Sequence, residues 1–203
     1  MNKSKITKVN PLVVTNFVGL YDVEYNNKNE NQKHWMVASR KNKEELESIY
    51  LENKDDKIDA VVIAAYHKEK NKLVVIKQYR VPINNYIYEL PAGLVDNDED
   101  IRKTVSRELK EETGLELIDI NDSSSMDKLY LSPGMTDESV AFVYCTCKGD
   151  ISKEYLEEDE DIEAMLISRE EAKELINSKE KIDIKLYLML QMFANLGDKL
   201  FNE

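Results

Sequence analysis

The chain has 203 residues, and its 40 acidic against 28 basic side chains give a formal net charge of −12. A hydrophobic fraction of 42% beside a charged fraction of 33% is that of an ordinary globular protein with enough chain for a sizeable core. So acidic a surface argues against nucleic acid or an anionic membrane as a partner, and the chain shows neither an apolar run of membrane-spanning length nor a signal peptide.

The N-terminal segment, residues 1–57, is predicted to be rich in β-structure. Its β-branched and aromatic residues indicate two strands of a hairpin-like unit, which is too small to be stable alone and must pack on something. The predicted order is a polar leader, two strands, and a charged stretch that is either a short helix or an insertion, at residues 1–8, 11–25, 34–39 and 41–57.

Residues 58–203 are predicted to form the main domain, an α/β (α+β) unit in which strands alternate with three helices. Ser168 and Glu171 have the spacing of a capping box for one helix, while Asp183 can cap another that Gly197 ends. Strand patterns fall at residues 59–67, 73–79, 86–90, 129–132, 139–147 and 161–167, and the two later helices at 169–177 and 184–196.

The first of the three helices lies within the stretch from Gly93 to Leu115. Asp98 or a neighbouring residue can cap its start, and Gly114 has the place of a glycine that ends a helix in the left-handed conformation. A single apolar stripe that can dock on a core is formed at i, i+4 and i+8 by Ile101, Val105 and Leu109.

The last turn of this helix carries three glutamates, Glu108, Glu111 and Glu112. Like charges three or four residues apart destabilise a helix by about 0.2–0.5 kcal/mol per pair, and the helix dipole disfavours anions at this end. Arg107 can offset part of this by pairing with Glu111. A cluster that works against local stability suggests a bound hard cation such as Mg²⁺, although three glutamates alone also suit a solvated acidic face.

The flanking residues favour the cation, because the whole stretch resembles the Nudix box, G-x5-E-x7-R-E-U-x-E-E-x-G-U, where U is a bulky aliphatic residue. The match holds at every specified position: Gly93, Glu99, Arg107, Glu108, Leu109, Glu111, Glu112, Gly114 and Leu115. The resemblance implies an α/β/α sandwich with a mixed sheet, a loop–helix–loop in the box, and binding of divalent metal ions.

Further motifs resemble the ADP-ribose pyrophosphatase branch of that family. They are Gln78-Tyr79-Arg80, Glu89-Leu90-Pro91-Ala92-Gly93, Ser132-Pro133-Gly134 with Glu138, and an acidic run that ends at Asp161-Ile162. The branch implies Mg²⁺-dependent hydrolysis of ADP-ribose to AMP and ribose 5-phosphate. It also implies a homodimer built through the N-terminal β-rich segment, often by exchange between subunits.

Three alternatives stand beside this function. The first is hydrolysis of another nucleoside diphosphate sugar at the same site. The second is a catalytically silent domain that senses a nucleotide ligand, against which the intact set of glutamates argues. The third is a purely structural acidic helix, which the flanking matches disfavour.

By the same resemblance, the expected metal ligands are Glu108, Glu111, Glu112 and the backbone carbonyl of Ala92. Mg²⁺ is the expected ion, with Mn²⁺ as the alternative, and Glu111 counts among the catalytic residues as well. Arg107 and Glu99 are expected to be mostly structural, with Arg107 clamping the helix to the loop through carboxylate hydrogen bonds. Gly93 is expected to allow a backbone geometry that turns the Ala92 carbonyl toward the metal.

The general base is expected to come from outside the box, in the acidic run at residues 154–163. Matching this run to the family's catalytic loop selects Glu158, with Glu160 second. The alternative interpretation of such a run is a solvated loop.

Substrate contacts are expected from Arg80, Glu138, Gly134 and Trp35. Arg80 is placed to meet a phosphate or the terminal ribose. The loop that holds Gly134 and Glu138 is matched to a substrate loop, although a plain turn explains its Ser-Pro-Gly equally well. Aromatic residues of the N-terminal segment are expected to hold adenine, and core packing is the alternative role for the three candidates, Phe17, Tyr21 and Trp35.

The two cysteines, Cys145 and Cys147, lie two apart on a predicted strand, so that they point to one face and cannot easily bridge each other. We interpret them as reduced thiols, and we therefore expect a cytoplasmic protein.

Overall fold

The structure is a computed structural model that describes residues 5–96, 99–158 and 160–201. The chain divides into two compact units, one of Met1–Asp59 with Leu129–Val140 and the other of Ala60–Lys128 with Ala141–Glu203. Among the described residues, the helices are too short or too polar to cross a bilayer.

The first unit contains a three-stranded antiparallel sheet, in the order β1-β2-β3, and one helix. The elements are β1 (Ile6–Val14), β2 (Gly19–Asn26), β3 (Gln32–Ser39) and α1 (Lys43–Tyr50). Helix α1 begins with a capping box, in which Asn42 Oδ1 accepts from the Glu45 N–H and the Glu45 carboxylate accepts from the Asn42 N–H. A small core under the helix consists of Val9, Tyr21, Val23 and Leu46.

The prediction of a single strand over residues 11–25 is wrong, because this stretch contributes to two strands. Thr15 turns the chain between β1 and β2: its N–H and its hydroxyl both donate to the Val18 carbonyl, at 3.1 and 2.8 Å. Strand β1 also starts at Ile6, inside the predicted leader. The charged stretch at 41–57 does contain a short helix, α1.

Among the described residues, eight further strands form a second sheet, and three helices accompany it. The strands are β4 (Ala60–His67), β5 (Lys72–Arg80), β6 (Asn85–Glu89), β7 (Ala92–Leu94), β8 (Glu116–Ile120), β9 (Met126–Tyr130), β10 (Ser139–Lys148) and β11 (Ile162–Ile167). The main path through this sheet is β11-β5-β4-β10-β8, with β6 paired to β5, β7 to β4 and β9 to β10. The helices are α2 (Ile101–Thr113), α3 (Arg169–Ile176) and α4 (Ile184–Leu196).

The core of the second unit lies around β4 and β5. Every residue of β4 is buried, as expected for a central strand that is covered on both faces. Helix α2 adds Val105 and Leu109, both 0% exposed. Helix α4 adds a wider apolar face of four fully buried residues, namely Leu186, Met189, Leu190 and Phe193.

The predicted fold class is confirmed, since a large sheet with helices forms an α/β unit and an antiparallel N-terminal β segment is also present. The predicted caps of α3 and α4 are also confirmed, at Ser168 and Asp183, and Gly197 ends α4. Strands β7 and β8 were not predicted, and the strand expected at 129–132 lies earlier, at Met126–Tyr130.

Candidate active site

Helix α2 presents the glutamates because its two ends and its apolar stripe are fixed. Asp100 caps the start through a 2.9 Å hydrogen bond from the Arg102 N–H, and Gly114 ends the helix at φ 77°. Asp98, the first cap candidate, lies outside the described residues. With Val105 and Leu109 buried, Glu108 and Glu112 are drawn toward the protein interior and are only 8% and 4% exposed.

Arg107 ties this helix to the loop before it, as predicted. Its Nη1 donates to Glu108 Oε1 at 2.7 Å and to Glu111 Oε2 at 3.0 Å. Its Nη2 donates to Glu99 Oε2 at 2.9 Å and to the Leu94 carbonyl at 3.1 Å. One guanidinium therefore positions three carboxylates, and its planar shape suits this fork of acceptors.

Glu112 is the most deeply buried carboxylate of the box. Its Oε2 accepts from the Ala92 N–H at 3.0 Å. Burial raises the pKa of Glu112 well above its usual value, the Ala92 N–H opposes the shift, and the charges of Glu108 and Glu160 add to it. Burial also raises the pKa of Glu108, against the lowering effect of Arg107. Both carboxylates lie where an added positive charge would be stabilised.

Gly93 has a packing role that was not predicted. Its φ is not in the positive region, and the orientation of the Ala92 carbonyl toward a metal stays a prediction. The reason for a glycine is space: an ideal Cβ on residue 93 would lie 1.8 Å from Glu108 Cδ and 2.0 and 2.1 Å from its two carboxylate oxygens. The loop and the Glu108 side chain can approach this closely only without a side chain at residue 93.

The three glutamates have the donor chemistry of a hard divalent cation, since all offer carboxylate oxygens. Within the part of the chain that the structure describes, no three His, Cys, Asp or Glu side chains are arranged as a ready-made metal site. Two of the three box carboxylates are hydrogen-bonded to Arg107, and the third is bonded to the Ala92 N–H. The residues fit a cation by their chemistry and by their burial.

Of the two predicted base candidates, Glu160 is in electrostatic range of the box glutamates. The Glu160 carboxylate raises the pKa of both Glu108 and Glu112, and it accepts from the Glu157 N–H at 3.0 Å. Glu158 is exposed to solvent. Asp159 lies outside the described residues. The structure therefore brings the second of the two predicted base candidates into electrostatic range of the box.

Arg80 lies at the end of β5, where its Nε donates to Glu89 Oε2 at 2.7 Å. Glu89 is buried, at 8% exposure, so it holds the guanidinium in one orientation. The positive charge of Arg80 lowers the pKa of Glu112, which puts Arg80 in electrostatic range of the box.

The other predicted substrate residues belong to the first unit, and the structure brings two of them together. Trp35 Nε1 donates to the Gly134 carbonyl at 3.1 Å, and the Ala38 N–H donates to the Met135 carbonyl at 2.9 Å. Glu138, in the same loop, accepts from Arg40 Nε at 3.3 Å.

The three aromatic residues that were predicted to hold adenine differ in how far they are buried. Tyr21 is fully buried, and its hydroxyl donates to the Lys41 carbonyl, so that it is a core residue. Trp35 and Phe17 are 52% and 79% exposed and remain available to a ligand or partner.

Sequence comparison identifies the family. The NUDIX domain family model matches residues 56–188. The chain is 34% identical over 134 residues to an ADP-ribose pyrophosphatase of Bacillus subtilis, covering 65% of this chain and 70% of that protein. It is 36% identical over 135 residues to a methanol dehydrogenase activator of Bacillus methanolicus, with the same 65% and 70% coverage. It is 30% identical over 158 residues to a GDP-mannose pyrophosphatase of Enterobacter, covering 70% and 76%.

The fold agrees with that assignment. A crystal structure of an ADP compounds hydrolase superposes with a TM-score of 0.69 over 97% of each chain, at 19% sequence identity. The family model covers well over half of the chain and includes the whole box described above. The chain belongs to the Nudix family of hydrolases.

Proposed function

We propose that the chain hydrolyses the pyrophosphate bond of a nucleoside diphosphate sugar, with ADP-ribose as the leading substrate and AMP and ribose 5-phosphate as the products. The observation that carries this proposal is the pair of buried carboxylates, Glu108 and Glu112, at the end of a complete box helix. Relatives named as ADP-ribose and GDP-mannose pyrophosphatases support the substrate class. The GDP-mannose pyrophosphatases make another nucleoside diphosphate sugar the second candidate substrate.

The proposed metal ligands are Glu108, Glu111, Glu112 and the Ala92 carbonyl, with Mg²⁺ as the first ion and Mn²⁺ as the second. Two buried carboxylates with raised pKa values favour an added positive charge, and hard divalent ions prefer oxygen donors. When bound, such an ion neutralises charge on the phosphates and acidifies a water molecule. Arg107 and Gly93 have a structural role that needs no bound ion, because they hold the loop and the carboxylates in place.

Glu160 is the proposed general base, with Glu158 as its competitor. A base must lie within reach of the water that attacks the pyrophosphate, and that water must lie close to the box glutamates. Glu160 is in electrostatic range of Glu108 and Glu112.

Substrate contacts are proposed for Arg80, Trp35, Gly134 and Glu138. Arg80 supplies a positive charge that Glu89 keeps in one orientation. In the first unit, Trp35 is half-exposed and fixed by its bond to Gly134, as a stacking platform for a nucleobase should be.

A homodimer is proposed through the N-terminal segment, residues 1–57, with residues 58–203 as the hydrolase domain. The turn between β1 and β2 and the strand residues next to it carry apolar side chains that are between 40% and 79% exposed: Leu12, Val13, Val14, Phe17, Val18 and Leu20. So many exposed apolar side chains close together in the chain favour an interaction site, and a second copy is the proposed occupant. A cytoplasmic location is proposed because Cys145 and Cys147 are free, buried thiols.

A substrate panel tests the proposed function. The purified chain is incubated with ADP-ribose, GDP-mannose and other nucleoside diphosphate sugars, in Mg²⁺, in Mn²⁺ or in EDTA, and the products are resolved by chromatography. We expect equimolar AMP and ribose 5-phosphate from ADP-ribose only when a divalent ion is present. Tight ADP-ribose binding without any turnover would instead identify a nucleotide sensor, and turnover that is unaffected by EDTA would contradict the metal ligands.

A further inference from the structure

We propose that the hydroxyl group of Tyr86 is a positioning group that anchors the acidic loop and so sets the place of Glu160. The inference rests on the proposed function, because it concerns the proposed base. The Tyr86 hydroxyl donates to Asp161 Oδ2, on the residue that follows Glu160 directly. The Tyr79 N–H donates to the Asp161 carbonyl at 3.2 Å. Two adjacent strands therefore hold one residue of the loop, through its side chain and through its backbone.

The position of Tyr86 is itself well defined. Tyr86 on β6 lies directly across from Tyr79 on β5, and the two rings meet edge to face with centroids 5.5 Å apart. The connection between these strands is one short 3-10 turn that ends at Asn84 in the left-handed conformation, with φ 48°. The Tyr79 hydroxyl donates to Asn84 Oδ1 at 2.6 Å, so the turn and both rings form one connected group.

The loop needs such an anchor because its charges oppose the arrangement that catalysis requires. Glu160 lies between Glu158 and Asp161 in the run, and like charges this close repel one another. The reciprocal backbone bond of 3.1 Å and side-chain bond of 3.0 Å between Glu157 and Glu160 give the loop a local shape but do not attach it to the sheet.

Attachment to the sheet begins at Asp161. After it, Ile162 pairs with Gln78 of β5, so Asp161 is the junction between the loop and strand β11. A tyrosine hydroxyl is suited to this junction, because it is an uncharged donor and bonds to a carboxylate without joining the set of charges around the box. Tyr86 thus adds a directed hydrogen bond at Asp161, the residue next to Glu160.

The test compares Tyr86→Phe with Tyr88→Phe. The first variant removes the hydroxyl and keeps the ring against Tyr79, while the second removes a hydroxyl on the same strand that lies 3.4 Å from Lys77 Nζ. We expect Tyr86→Phe to lower kcat about tenfold, the scale of one charge-assisted hydrogen bond, with KM changed less than about twofold. Tyr88→Phe should match the wild type. Equal kcat values for Tyr86→Phe and the wild type would overturn the proposal.

A second variant pair separates positioning from general stability. If Tyr86 acts through Glu160, Tyr86→Phe should lower kcat no further in a Glu160→Gln background. A further tenfold loss in that background would overturn the positioning role. Full turnover by Glu160→Gln alone would refute the proposed base, and with it this inference.

Hydrogen–deuterium exchange makes the anchor testable without any activity. Backbone amides of residues 154–161 should exchange faster in Tyr86→Phe than in the wild type or in Tyr88→Phe. Unchanged exchange in this loop would overturn the anchor, even if the substrate panel supports the proposed function. Faster exchange combined with no turnover on any substrate would support the anchor and refute the proposed function.

Discussion

The carboxylate of Glu108 occupies the space in which a side chain on residue 93 would lie. An ideal Cβ on Gly93 would be 1.8 Å from Glu108 Cδ, far inside van der Waals contact. Glu108 cannot simply move aside, because it is 8% exposed and bonded to Arg107. The first and the central residues of the box are thus linked by packing, which makes the loop and the helix one structural element.

Gly93→Ala is therefore expected to displace Glu108 and to reduce both stability and turnover. Overpacking of this kind costs about 1–3 kcal/mol of unfolding free energy, which urea denaturation would measure. Gly134→Ala is the matched stability control, because a Cβ at residue 134 meets nothing within 4 Å. Similar stability of the two variants would contradict the packing argument.

Glu112→Gln is expected to separate stability from activity. The amide oxygen can still accept from the Ala92 N–H, and a neutral amide is easier to bury than a carboxylate, so the unfolding free energy should be unchanged or higher. Turnover should fall about 10²–10³-fold, because a charged oxygen next to the substrate phosphates is lost. The exposed Glu116→Gln on the following strand is the control. Full activity of Glu112→Gln in Mg²⁺ would refute the assignment of Glu112 as a ligand.

The two base candidates can be distinguished by paired variants. Glu160→Gln is expected to lower kcat by about 10²–10⁴-fold, the usual contribution of a general base, whereas Glu158→Gln should lower it less than about threefold. The physical reason is the electrostatic range of Glu160 to Glu108 and Glu112. Steady-state kinetics with the best substrate of the panel measures kcat for both variants and so identifies the base. The reverse order of effects would restore the base that the sequence motif alone favours.

Phe17→Asp is expected to prevent dimer formation without unfolding the chain. Phe17 is 79% exposed at the tip between β1 and β2, so a charge there costs nothing in a monomer but would be buried in a dimer. Size-exclusion chromatography with light scattering should show dimers for the wild type and monomers for the variant. Leu51→Asp, at another exposed apolar residue, should stay dimeric. A monomeric wild type would end the dimer proposal.

The box helix could be predicted from the sequence because its information is local. The apolar stripe, the stop at Gly114 and the pair of Arg107 with Glu111 follow from spacings of a few residues, and the structure has them. The clamp from Arg107 to the loop was implied by the family resemblance instead. The cap is Asp100, within the prediction of Asp98 or a neighbouring residue. Local spacing defines a helix well but leaves its first residue open.

The features that escaped prediction depend on contacts between distant residues. The reason for a glycine at residue 93 is the side chain of Glu108, 15 residues later, and spacing alone suggests only a backbone role. Tyr86 and Asp161 are 75 residues apart, and nothing in either residue's neighbourhood indicates the bond. Strand β7 is three residues long and forms because β4 offers it a partner. The turn at Thr15 was missed because a side-chain hydroxyl, rather than a proline or glycine, stabilises it.

The central claim is that Glu108 and Glu112 hold divalent cations against a pyrophosphate, and a crystal structure tests it most directly. Crystals would be grown with Mg²⁺ and an ADP-ribose analogue whose bridging oxygen is replaced by a methylene group. We predict at least one Mg²⁺ at about 2.0–2.1 Å from oxygen atoms of Glu108 or Glu112, with the analogue's phosphates completing the coordination. A bound analogue with both carboxylates still directed to Arg107 and the Ala92 N–H, and no cation between them and the phosphates, would contradict the claim.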